Sequence, residues 1–173
     1  MNELETPLLT SHGSVRERSP WRWLFLAAVP VLALMFQVYV PMLVASLSFA
    51  ELPLLVTLHL ALTRRSAVAG LLYGAGVGLL QDALSNRPLG MFGMVKTLVG
   101  FFAGRAGVLM DIDNPAVRFF TALVFYFFHQ LFYWLLARGL LGQSLDFDIL
   151  QTVFFAVLNA AVAVPLFQLL DRI

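Results

Sequence analysis

The sequence contains no cysteine, so a disulfide frame, a thiolate nucleophile and a cysteine-ligated metal are all excluded. Charge is scarce as well: Asp, Glu, Lys and Arg make up 12% of its 173 residues, against about 25% in soluble domains. The net charge of +1 points to neither nucleic acid nor an acidic soluble partner. What the chain has in excess is apolar. It is 60% hydrophobic, carries 16 Phe, and has a mean hydropathy of +0.85. A core this small cannot hide that much apolar surface, so the composition is that of an integral membrane protein.

A hydrocarbon layer about 30 Å thick takes about 20 helical residues to cross. Six segments are candidates: residues 23–45, 51–63, 66–84, 90–110, 119–137 and 149–170. The second is short, and alternatives remain open for it: little tilt, a start before Glu51, or a partly re-entrant path. Pro53 suits its first turn, and Glu51 suits the positive helix end. Residues 1–22 form a polar tail ending in the interfacial "WRW" at Trp21 to Trp23. The apolar stretch after it is longer than a signal-peptide core, which predicts an uncleaved span and a single transmembrane domain over 23–173.

Orientation follows from the basic residues of the short loops. Arg16, Arg18, Arg22, Arg64, Arg65, Arg105, Arg118 and Arg172 share one side, Arg87 and Arg138 the other, and Lys96 lies within a span. This bias predicts cytoplasmic N- and C-termini. The expected fold is an all-α integral membrane protein, a six-span helical bundle with short loops.

Glycine would cost a helix in water up to about 1 kcal/mol relative to alanine, yet the third span is rich in it. Gly70, Gly74 and Gly78 recur every four residues, a doubled small-xxx-small pattern that lets another helix approach backbone to backbone. Asp82 is the next step of that stripe. In the fourth span Gly93, Lys96, Gly100, Gly104 and Gly107 form a similar face. Both charges are therefore expected to point into the bundle. Across the "SNRPLG" turn their depths differ by about 3 Å at 1.5 Å per residue. An Asp82–Lys96 ion pair is one expectation; a pair with Arg87, or capping of turn amides by the carboxylate, are others. A proton relay or substrate site is the functional reading of such charges. Structural closure of a tight hairpin is the one favoured by their place near the turn.

Gln37, His59, His129, Gln130, Asn159 and Gln168 are further polar residues within spans, expected to hydrogen-bond neighbouring helices. Two histidines without an acidic partner are a weak metal signal. Enzyme constellations fail in turn. The Ser–His–Gly cluster "TSHGS" lies in the tail, not in a buried turn. Asp82 is the one aspartate inside a span, so an aspartyl-protease dyad is missing. Asp111 and Asp113 read as solvated loop acids, and Asp146 and Asp148 as acids ahead of a helix start. No catalytic residue, metal or cofactor is expected.

The run "AELPLLVTLHLALTRRSAVAGLLYGAGVGLLQDALSNRPLGMFGMVKTLVGFFAGRAG" resembles the rod shape-determining MreD family. The resemblance rests on Glu51 and Pro53, Arg64 and Arg65, then Gly70, Gly74, Gly78 and Asp82. It continues through Ser85, Leu89 and Gly90 to Gly100, Phe101 and Gly104. Two departures stand out: Pro53 follows the acid where the family usually has proline before it, and Lys96 sits where the family tends to be apolar. The resemblance implies a non-enzymatic inner-membrane subunit of the elongation machinery of rod-shaped bacteria. Its implied partner is MreC, and through it RodA, a penicillin-binding transpeptidase and, indirectly, MreB, with membrane lipid around it. The family is also similar to substrate-binding subunits of energy-coupling transporters, so a small-molecule-binding subunit is the alternative. The glycine stripes, with Asp82 and Lys96, are the candidate packing or interaction residues.

Overall fold

A computed structural model describes residues 20–43, 49–85, 90–143 and 147–172, with side chains in the first helix described over 27–40. The tail to residue 19, Arg87 and Leu89 in the third-to-fourth turn, and Asp146 lie outside the described residues. Six helices follow one another: α1 Pro20–Leu43, α2 Leu52–Arg64, α3 Ala67–Leu84, α4 Met91–Leu109, α5 Pro115–Leu141 and α6 Ile149–Asp171. Helices α3 to α6 are long and apolar enough to cross a membrane. Helix α2, at 13 residues, is shorter. The all-α membrane class expected from composition is what the chain adopts.

Helix ends follow local chemistry. Asn114 caps α5 by accepting from the Ala116 N–H at 2.9 Å, and Pro115 occupies the first helical position, where its missing N–H costs nothing. Gly142 closes α5 in the left-handed region at φ 61°. These caps make α5 longer at both ends than the 119–137 read from hydropathy, because capping and not apolarity sets where a helix stops. Asp148 begins α6 by accepting from the Gln151 N–H at 3.1 Å. Ser66 opens α3 one residue after Arg65 turns left-handed at the end of α2.

The short α2 is the centre of the bundle. It packs against all five other helices, and every residue from Pro53 to Leu62 is buried. A helix apolar on all sides is one that protein surrounds. Thirteen residues span about 20 Å, less than the hydrocarbon layer, and the start of α2 at Glu51 and Leu52 is half-buried. Non-helical backbone is tolerated at such depth only where protein satisfies it. Asn159 of α6 does so: its side-chain oxygen accepts from the Glu51 N–H at 2.9 Å, and its amide donates to the Phe49 carbonyl at 2.8 Å. The second segment is thus a short helix whose half-buried start is tied to α6.

The main core lies where α2, α4, α5 and α6 meet, through Leu54, Leu58, Leu62, Val95, Val99, Tyr126 and Ala160. Outward faces carry large apolar side chains, among them Leu72, Phe120, Val124, Leu150 and Phe154, which suits a hydrocarbon surround. We call the end where α1 begins and α6 finishes proximal, and the opposite end distal.

Candidate functional site

The glycine stripes of α3 and α4 face each other. A Cβ on Gly70 would meet the Gly100 carbonyl, one on Gly74 the Lys96 carbonyl, and one on Gly78 the Phe92 carbonyl. Gly100 meets the Gly70 carbonyl in return, while Gly104 and Gly107 lie against the backbone of Ser66 and Leu62. Backbone thus rests on backbone along the hairpin, the arrangement that small residues permit between helices in lipid. Within this chain the stripe is occupied by the hairpin itself.

Asp82 is 1% exposed, and both carboxylate oxygens are engaged. Oδ1 accepts from the Phe92 N–H at 3.0 Å, and Oδ2 accepts from those of Gly90 and Gly93 at 3.0 and 2.9 Å. These are amides at the start of α4, which otherwise lacks a side-chain cap because Gly90 stands at the N-cap with φ 95°. A carboxylate on the positive end of a helix gains from the dipole as well as from charge-assisted bonds. Of the alternatives open in the sequence, capping is therefore the one realised, and no ion pair within 4.0 Å joins Asp82 to Lys96 among the described residues.

Lys96 is fully buried. Its Nζ lies 3.4 Å from His129 Nε2 and 4.7 Å from the centre of the Phe92 ring, a cation–π contact. The His129 ring in turn stacks on Phe92. The other intramembrane histidine has different partners: His59 Nε2 lies 3.7 Å from Asp171, and its ring packs on Phe167. The structure gives the two histidines separate roles, and among the described residues no group of three or more His, Asp or Glu could hold a metal.

A third cluster is one that reading the sequence missed. Arg118, counted there as a loop charge, sits in the first turn of α5 and is 7% exposed. Its guanidinium meets Asp171 at 2.6 Å, approaches Asp113 at 3.9 Å, and donates through Nε to the Ile112 carbonyl at 2.5 Å. With His59 on the other oxygen of Asp171, the cluster ties α2, α5 and α6 at the proximal end. The available signal was faint: basic residues near helix starts are poorly placed for the dipole and need a partner.

Two hollows open on the described surface. At the distal end, between α5 and α6, a cleft of about 270 Å³ is lined by Tyr126, Gln130, Tyr133, Trp134, Asp148 and Gln151 with their neighbours. Gln130 donates to the Tyr126 hydroxyl at 2.8 Å on its wall. The other, about 400 Å³, is an apolar hollow at the proximal end beside Phe120, Val124 and Met110.

Searches of curated proteins and of solved structures return no match. A comparison with family descriptions does: residues 17–172, nearly the whole chain, match the family described as rod shape-determining protein MreD. That range takes in the hairpin, the start of α2 and the proximal charge cluster alike, and the chain belongs to the MreD family.

Proposed function

We propose that this protein is a non-enzymatic subunit of the bacterial elongation complex, held in the inner membrane with both termini cytoplasmic. In that role it helps MreC connect MreB filaments to RodA and its penicillin-binding transpeptidase, and so maintains rod shape. The observation that carries this reading is the near full-length family match. The interior supports it: its buried polar groups cap helix ends and cross-link helices, which is what a rigid membrane adaptor requires. The Lys and Arg bias of the loops supports the sidedness. Reporter fusions after residue 172 and after Gly142 are expected to read cytoplasmic and external, respectively; the reverse pattern overturns the orientation.

One observation favours the second reading, a small-molecule-binding subunit of an energy-coupling-type transporter. The distal cleft mixes aromatic faces with Gln130, Gln151 and Asp148, a lining able to hold a polar ligand. Affinity capture from native membranes in mild detergent, read by mass spectrometry, separates the two. Co-purification of MreC, RodA and the transpeptidase is the expected result. Recovery of an ATPase module or a tightly bound small molecule in their place supports the transporter reading.

A further inference from the structure

A fully buried ammonium needs a counter-charge and partners for its three N–H groups. Lys96 has His129 Nε2 and the face of Phe92. Asp82, the acid expected to serve it, has given both oxygens to the amides of α4. One other carboxylate is at hand. Glu51 stands at the start of α2, which packs directly on α4, and its backbone N–H is held in place by Asn159. Its Oε2 atom is buried and has no hydrogen-bond partner. Leu62 of α2 lies against Gly107 of α4, so eleven residues back along each of these parallel helices Glu51 comes level with Lys96.

The imidazole beside Lys96 completes the pattern. Because Nε2 accepts from the ammonium, the ring proton of neutral His129 sits on Nδ1, which is also buried and has no partner. The same distal half of the bundle buries another lone acceptor, Gln81 Oε1. Spare donors on Lys96 and His129 thus lie in the same distal half of the bundle as spare acceptors on Glu51 and Gln81. Lys96 and Glu51 approach no closer than the 4.0 Å of a direct ion pair. A free ion would unbalance one positive and one negative charge. Water donates and accepts at once and leaves the balance intact.

We infer that Glu51 is the counter-charge of Lys96, and that at least one ordered water held among Lys96, His129 and Glu51 joins the two. The site is internal and neutral overall, and it fastens the start of α2 to the α3–α4 hairpin. It accounts for a lysine in an otherwise apolar span.

The full-length protein in nanodiscs provides the test. Lys96→Met and Glu51→Gln, each alone, leave one buried charge unbalanced and are expected to lower the folded membrane level several-fold. The double variant, neutral again, is expected to recover most of it. Additive loss in the double variant, or recovery of Lys96→Met by Asp82→Asn in place of Glu51→Gln, overturns the pairing. The water has its own readout, which needs no variant to fold. Radiolytic hydroxyl labelling of the wild-type protein modifies buried residues that touch ordered water. His129 should label several-fold faster than Phe125, although both are buried. Labelling of His129 no faster than Phe125 overturns the hydrated site.

Discussion

Asp82 shows how much a single residue can decide in a membrane. It lies at a helix end, yet its oxygens serve the next helix and not its own. Replacing it with alanine strands three amides, two of them in fully buried bonds, at about 1–3 kcal/mol for each group left unpaired. Asp82→Asn keeps one acceptor oxygen, so it should lie between alanine and wild type when thermal unfolding is followed in detergent. Equal loss in both variants would show that charge, and not the count of acceptors, carries the cap. Asn159 plays the matching part for α2, joining an N–H and a carbonyl that lie outside any helix. Both residues were visible in the sequence as polar atoms in apolar spans. Their partners were not, since backbone amides leave no mark in composition.

At the scale of the helix, the α3–α4 hairpin separates glycines that are needed from one that is not. Gly74 faces the Lys96 carbonyl with no room for a methyl group, whereas nothing lies within 4 Å of a Cβ on Gly76. Gly74→Ala must push two backbones apart, and overpacking of this kind costs about 1–3 kcal/mol or more. Gly76→Ala loses no contact and gains up to about 1 kcal/mol of helix propensity. Melting temperatures of the two purified variants should therefore move in opposite directions. A parallel fall would overturn the open space beside Gly76. The four-residue spacing of Gly70, Gly74 and Gly78 made the stripe legible, because the period of a helix alone puts them on one face.

Over the whole molecule, the two ends of the bundle are tied differently. The distal side relies on caps and buried polar contacts, while the proximal end closes through Arg118, Asp171 and His59. Removing one partner of a fully buried ion pair costs about 3–5 kcal/mol. Asp171 is 37% exposed, so water relieves part of that. Asp171→Ala should cost about 2 kcal/mol by this reasoning, because it leaves Arg118 enclosed with the Ile112 carbonyl and the distant Asp113. Arg118→Met should cost less, since the carboxylate it strands can hydrate. Unfolding in detergent titrations measures both, and the reverse order would mean that Arg118 acts mainly through its bond to Ile112.

Several features of this protein follow from its sequence without any coordinates. Apolar runs too long for a soluble core dictate helices in lipid, because lipid leaves backbone groups no partner outside their own helix. Helical periodicity then places Gly70, Gly74, Gly78 and Asp82 on one face, and the motif around them points to the MreD family. Tertiary structure decided the pairings. Asp82 turned to the α4 amides and not to Lys96, because three preorganised N–H groups lie within its reach. Arg118 left the loop for the interior, because Asp171 arrives beside it from a helix more than fifty residues away in sequence. The short α2 became the centre of the bundle, because Asn159 satisfies the backbone at its half-buried start. Each of these choices depends on which helices are neighbours, and distance along a chain does not encode that.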